Sequence, residues 1–269
     1  MQIAVVGAGS FGTALAIHLA RIGHSVSLWG RRPEHLRACA EVGHNTRFLS
    51  DVRFPDGLTA EPDLDAAFAG AELIVSAIPT KGVRAFWSKA IERAPAGAPI
   101  VNAAKGITTD SLETIDELMR DCIARADTGR LIYLSGPSFA RELAEDLPTL
   151  LVCAGRNAET VDAVRDAFTG GHTKVYTSDD VVGVELGGAL KNVMAIAAGV
   201  CDGLQLGDNA KAALITRGLR EMRRLGTAAG AQPNTFNGLS GMGDLTVTCF
   251  SKQSRNRTLG ERIAKGEPL

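Results

Sequence analysis

Residues 3 to 12 read Ile-Ala-Val-Val-Gly-Ala-Gly-Ser-Phe-Gly, and few folds accommodate that order. Ile3 to Val6 is a short run with strand character, and Gly7-x-Gly9-x-x-Gly12 follows it without a break. Thr13 to Arg21 then supplies helix formers, with Leu15, Leu19 and Ile22 on one stripe. Strand, tight glycine turn and helix come in the sequence that a dinucleotide site requires. Gly7 can take a turn that other residues resist. Gly9 leaves the backbone bare for a pyrophosphate, and Gly12 lets the helix lie close to the strand. The helix N-terminus offers unpaired N–H groups and partial positive charge to the anion. The alternative for the motif alone is a purely structural turn.

Two basic residues refine this expectation. Ser25 to Trp29 reads as the second strand and ends in Gly30-Arg31-Arg32. An acid at this point commonly binds the ribose 2′-hydroxyl of NAD, whereas two guanidinium groups suit a 2′-phosphate. The pair predicts NADPH as the preferred cofactor and NADH as the second choice. A merely solvated loop is the competing reading.

The alternation continues along the chain. Strands are expected at 72–78, 99–104, 131–135, 149–154 and 173–177, with helices at 63–69, 81–93 and 111–125 and another between the last two strands. Strands alternating with helices make an α/β fold, a doubly wound and largely parallel Rossmann-type sheet covered on both faces. Lys105 and Ser138 follow strand ends, where ligands bind on such sheets. Beyond residue 178 the strand signals nearly vanish and long helical stretches run over 182–204 and 209–229. The expected organisation is therefore a dinucleotide-binding domain over 1–178 and an all-helical substrate domain over 179–269.

Composition excludes several classes. The net charge is −1 with 22% charged residues, so no global field recruits nucleic acid or an anionic membrane. The five cysteines are odd in number and far apart, which points to reduced thiols and away from a disulfide framework. The histidines show no metal-ligand spacing, and no metal is expected. No uncharged apolar run reaches membrane-spanning length and the N-terminus lacks a signal-peptide pattern, so the expectation is a cytoplasmic protein without membrane insertion.

The helix Glu185 to Gly199 carries Gly187 and Gly188 one turn before Lys191, at a cost of about 1 kcal/mol per glycine against alanine. They would leave room for something to approach that lysine. Leu190, Val193, Met194 and Ile196 surround it, and desolvation there disfavours an ammonium, toward the working range of an acid–base catalyst. Otherwise Lys191 snorkels to solvent and the glycines serve close helix packing. Further on, three glycines before Asp244 give a flexible turn that would present this acid inward. Ser254-Arg-Asn-Arg257 opens an amphipathic helix, either as a small phosphate site or as a plain N-cap with surface arginines.

The glycine turn, Ala104-Lys105-Gly106, Ser135-Gly-Pro-Ser138-Phe-Ala140, Leu190-Lys-Asn192, Gly243-Asp244 and Ser254-Arg-Asn256 occur in one order. Together they resemble the NAD(P)-dependent glycerol-3-phosphate dehydrogenases of the bacterial type, over nearly the whole chain. The resemblance implies reversible hydride transfer from NAD(P)H to dihydroxyacetone phosphate, giving sn-glycerol 3-phosphate for phospholipid synthesis. It implies cofactor contacts by Gly7, Gly9, Ser10, Phe11, Gly12, Arg31, Arg32, Lys105, Ala140 and Arg255. Lys191 would donate and accept the proton, with Asp244 positioning it and Lys105 standing between cofactor and substrate. Gly136, Ser138, Asn192 and Thr248 would line the substrate, and Ser254, Arg255 and Asn256 would hold its phosphate. The implied partners are a phosphorylated small molecule and, in some assemblies, a second copy in a homodimer. Members of this family run on past the equivalent of Leu269, so the helical domain is expected to stop short at its C-terminal end.

Two rival readings share parts of this pattern. A β-hydroxyacid or ketopantoate-type dehydrogenase also combines a dinucleotide fold with a helical domain bearing a lysine, but must bind a carboxylate, for which Ser254-Arg-Asn256 is less suited. A non-catalytic NADPH-binding regulator would have no use for Lys105, Lys191 and Asp244 together.

Overall fold

The computed structural model describes residues 1–267; Pro268 and Leu269, to which the expected helical domain extends, lie outside the described residues. The chain forms two compact units, Met1–Leu134 with Ser138–Asp179, and Ser135–Pro137 with Asp180 onward.

The first half of the chain begins β1 (Gln2–Val6), α1 (Ser10–Arg21), β2 (Ser25–Trp29), α2 (Pro33–Val42) and β3 (Leu58–Glu61). Then come α3 (Leu64–Phe68), β4 (Leu73–Ser76), α4 (Thr80–Ala90), β5 (Ile100–Asn102) and α5 (Ile115–Cys122). The alternation closes with β6 (Leu131–Ser135), α6 (Ala140–Ala144), β7 (Thr149–Gly155), α7 (Ala158–Phe168) and β8 (Thr173–Ser178). The strands form one eight-stranded sheet in the order β3-β2-β1-β4-β5-β6-β7-β8. Pairing is parallel from β3 through β6 and again between β7 and β8. The α/β expectation is met.

This order places the reversal at β1. The chain leaves β1 to build β2 and β3 on one side, then crosses to β4 on the other. Loops at the carboxyl ends of β1 and β4 diverge there, which opens the crevice in which ligands bind on such sheets. Ile3, Val5, Leu15, Leu19, Val75, Val101, Ile132 and Phe168 belong to the continuous core beneath it.

Two local expectations needed correction. The helix foreseen at 111–125 starts at Ile115, because Thr114 and Glu117 form a reciprocal capping box. Leu112, inside the expected span, has a positive φ of 57° and is 71% exposed. The elements α2 and β3 escaped the sequence reading. β3 is a four-residue edge strand that buries only Leu58 and Ala60, too short to show a period.

The second unit contains α8 (Val181–Gly203), α9 (Gly207–Ala228), α10 (Asp244–Phe250) and α11 (Arg255–Ala264). Its core includes Leu186, Ala195, Ala198, Met222, Phe236, Leu245 and Cys249. Asp180 caps α8 by accepting from Gly183 N at 2.9 Å, and also accepts from Gln232 N at 2.9 Å. By length and composition α8 is apolar enough to cross a membrane, with a mean hydropathy of 1.4. Its charges had hidden this in the sequence, and half of that stretch is buried within the fold. Helix α11 lies against α8 at main-chain distance. A Cβ at Gly199 would stand 1.9 Å from the Arg257 carbonyl oxygen, and one at Gly260 would stand 1.9 Å from that of Ile196.

Candidate active site

In the first unit, each glycine of the turn has a separate reason. Gly7 has φ +118°, and a Cβ there would meet the Ala77 carbonyl oxygen at 2.7 Å. At Gly12 it would lie 1.9 Å from the Gly7 carbonyl oxygen, so only glycine lets α1 pack so near the turn. At Gly9 it would meet nothing within 4 Å. Bare backbone beside open space is what a pyrophosphate needs. Gly9 is the N-cap of α1 and offers no side-chain oxygen to the first-turn amides, and no acid sits in that turn. The helix start therefore suits an anion, with Ser10 and Phe11 as its first two residues.

The neighbouring strands bring further groups to the same end of the sheet. Val6 pairs with Trp29, and Gly7 N donates to the Trp29 carbonyl at 2.8 Å. Arg31 and Arg32 follow at once, both exposed, with Arg32 as the N-cap of α2. Lys105 follows β5, and its carbonyl accepts from Thr80 Oγ1 at 3.5 Å. Ala140 opens α6 and packs on the main core. Ser138 belongs to this unit, whereas Gly136, with φ +120°, belongs to the second.

Sequence reasoning missed Asn45, which is fully buried. Its amide nitrogen donates to Thr13 Oγ1 at 2.8 Å and to the Ala8 carbonyl at 3.1 Å. Its oxygen accepts from Arg47 N and Phe48 N. One side chain thus ties the loop after α2 to the glycine turn. It lies in a stretch without periodicity, where only a lone buried amide with many partners would reveal it.

In the second unit, Lys191 on α8 meets Asp244 and Thr248 on α10. The ammonium pairs with the Asp244 carboxylate and donates to Thr248 Oγ1 at 3.0 Å. Thr248 Oγ1 in turn donates to the Asp244 carbonyl at 2.5 Å. All three residues are buried, Asp244 at 2% exposure and Lys191 at 7%. Exchanging such a pair for apolar side chains is often neutral or stabilising, so its presence asks for a functional reason. Asp244 begins α10 directly after a π-helical turn over Leu239–Gly243. The expected flexible turn is therefore an ordered one. The room attributed to Gly187 is also filled, since a Cβ there would lie 2.6 Å from the Ser240 carbonyl oxygen. That glycine admits the turn carrying Asp244 rather than a ligand.

The adjacent cysteine is poorly suited to be a nucleophile. Burial pushes the Cys249 thiol up to about 11, with the Lys211 and Lys191 charges opposing this only in part. Among the described residues no His, Cys, Asp and Glu cluster is placed to hold a metal.

The third cluster opens α11. Ser254 Oγ accepts from Arg257 N at 3.2 Å, the N-cap geometry that sequence reading had set against a phosphate site. The cap does not occupy the neighbouring side chains. Asn256 Nδ2 donates to Asn192 Oδ1 at 2.8 Å, which joins this turn to the residue after Lys191. Arg255 is exposed, whereas Arg257 turns inward to Asp202 at 2.5 Å. Lys191, Asn192, Asp244, Thr248, Ser254 and Asn256 are thus linked through α8, α10 and α11.

Both halves of the chain match one known family. Residues 2–161 match the family described as NAD-dependent glycerol-3-phosphate dehydrogenase N-terminus, and residues 180–269 match its C-terminus counterpart. A glycerol-3-phosphate dehydrogenase [NAD(P)+] of Geobacter sp. strain M21 is 46% identical over 268 residues, covering 100% of this chain and 80% of that relative. One from Chlorobium luteolum is 47% identical over 270 residues, with 100% and 81% covered. Among solved structures, a glycerol-3-phosphate dehydrogenase from Coxiella burnetii superposes with a TM-score of 0.91 at 39% identity, over 98% of this chain and 80% of that one. The chain belongs to the NAD-dependent glycerol-3-phosphate dehydrogenase family.

Proposed function

We propose that this chain reduces dihydroxyacetone phosphate to sn-glycerol 3-phosphate with NADPH as its preferred reductant and Lys191 as the proton donor. The observation that carries the reading is the buried Lys191–Asp244–Thr248 constellation. A nicotinamide held by this chain would supply the hydride, and the chain's own residues would meet the negative charge that grows on the carbonyl oxygen. An ammonium in a dry setting stabilises that charge and then yields its proton. Asp244 and Thr248 fix where Nζ points. Lys105 serves as a second cation for the developing oxyanion.

Binding is divided between the units. Gly7, Gly9 and Gly12 with Ser10, Phe11 and Ala140 receive the dinucleotide, and Arg31 and Arg32 take its 2′-phosphate. Ser254, Arg255, Asn256 and Asn192 hold the substrate phosphate, and the family resemblance also assigns Arg255 to the cofactor. Gly136 and Ser138 line the substrate. A phosphate grip supplies orientation, which converts an encounter into a near-attack geometry. The product feeds glycerophospholipid synthesis, and five free thiols support a reducing, cytoplasmic setting.

NADPH oxidation by the purified protein should proceed with dihydroxyacetone phosphate and not with an α-keto acid. Turnover with the keto acid alone would assign the site to a carboxylate substrate instead. For the cofactor, replacing Arg31 and Arg32 with alanine should raise the NADPH KM about tenfold to a hundredfold, from charge-assisted hydrogen bonds of ~1.5–3 kcal/mol. The NADH KM should change by less than about threefold. Equal losses for both cofactors would remove the 2′-phosphate assignment.

A further inference from the structure

An ionic joint of one half-buried acid and two buried cations links helices that carry the proposed substrate groups. Asp202 at the end of α8 accepts from Lys211 Nζ at 2.6 and 2.8 Å and from Arg257 at 2.5 Å. Lys211 is 5% exposed and Arg257 8%. Each charge sits against its own helix. An acid in the last turn of α8 opposes the helix dipole, as do an arginine in the first turn of α11 and a lysine near the start of α9. Arg257 has one partner on its own helix, Glu261 at 3.4 Å, but its shorter contact is the one to Asp202 across to α8. Lys211 Nζ also stands over the Phe250 ring at 5.0 Å, at the end of α10. The joint thus touches α8, α9, α10 and α11, including the three that carry Lys191, Asp244, Thr248 and Asn256. Burial pushes the Asp202 carboxyl up, and the hydrogen bonds from Lys211 and Arg257 outweigh this and hold it below the usual range.

Arg257 is the link to the substrate. It is the third residue of α11, directly after Arg255 and Asn256, and its own N–H is the one that Ser254 caps. Fixing its guanidinium inward fixes the rotation of the first turn, and so the outward direction of Arg255 and the alignment of Asn256 with Asn192. We infer that Asp202 is a positioning residue for substrate phosphate: by clamping Arg257 against α8 it presets the first turn of α11 to receive the anion. This rests on the assignment of Ser254, Arg255 and Asn256 to that phosphate.

The test is Asp202→Asn in the full chain, with kcat, the KM for dihydroxyacetone phosphate and the KM for NADPH measured together. A positioning role raises the first KM about tenfold, with smaller changes in kcat and in the NADPH KM. Asp202→Glu should restore most of the loss. A joint that only holds helices together would reduce the amount of active enzyme, so kcat would fall with both KM values unchanged; that result overturns the inference. Breaking a buried pair can unfold a domain. If Asp202→Asn does not yield folded protein, Arg257→Lys keeps a cation opposite Asp202 without the planar fork, and the same split decides. Asn256→Ala separates the two levels. A raised substrate KM there, with none in Asp202→Asn, overturns the positioning role alone. An unchanged substrate KM in Asn256→Ala removes the phosphate assignment, and the inference with it.

Discussion

Lys191→Ala should lower kcat for dihydroxyacetone phosphate reduction by about a thousandfold, within the ~10²–10⁴ that a positioned acid–base group supplies. The variant removes the proton donor and the nearest buried cation at once. It also leaves Asp244 without its buried partner, a loss of ~3–5 kcal/mol unless the carboxyl takes up a proton. Lys191→Arg separates these effects, because a guanidinium keeps the charge opposite Asp244 yet does not release a proton near neutral pH. Both variants should be folded by circular dichroism and both should be nearly inactive in steady-state assays. Near-normal turnover in Lys191→Arg would leave charge stabilisation standing and remove proton transfer from this residue. Near-normal turnover in Lys191→Ala would remove the residue from the chemistry altogether.

Arg255→Ala should raise the KM for dihydroxyacetone phosphate by about one to two orders of magnitude, from the loss of a charge-assisted contact of ~1.5–3 kcal/mol. Arg255 is exposed, so its removal leaves no buried charge uncompensated. The stability of the fold should stay within about 0.5 kcal/mol, as for other surface substitutions. The variant therefore reports on ligand binding rather than on folding. The contact is remote from the carbonyl, and part of its binding energy is expected to appear in kcat as lost alignment. Initial-rate kinetics with varied substrate would show this, and an unchanged KM would leave Arg255 as a surface residue at a capped helix end.

The two clusters were unequally legible. The glycine turn could be read because each glycine meets a steric demand that leaves its own mark in the sequence, as Gly7, Gly9 and Gly12 show. The place of Arg31 and Arg32 just after β2 was legible from register alone. The Lys191–Asp244–Thr248 constellation was not legible by spacing, since 53 residues separate the first two. Only the joint order of six short motifs pointed there. The physical role assigned to Gly187 was misread, because a glycine in a helix signals close approach without saying whether ligand or backbone approaches. Asn45 and Asp202 left no sequence mark at all: each acts through several partners distant along the chain.

The main-chain contact of Gly199 with Arg257 and of Gly260 with Ile196 bears on substrate size. Side chains that interdigitate can repack by a fraction of a turn, but a backbone seated on a backbone has no slack to give up. On the proposed assignment, α8 carries the group that meets the carbonyl and α11 the group that meets the phosphate. The span between those two ends of the ligand is then gauged by the peptide chain itself. Such a site measures a three-carbon skeleton much as a fixed caliper does, and a homologous substrate one carbon longer would need a different helix pair rather than a different side chain.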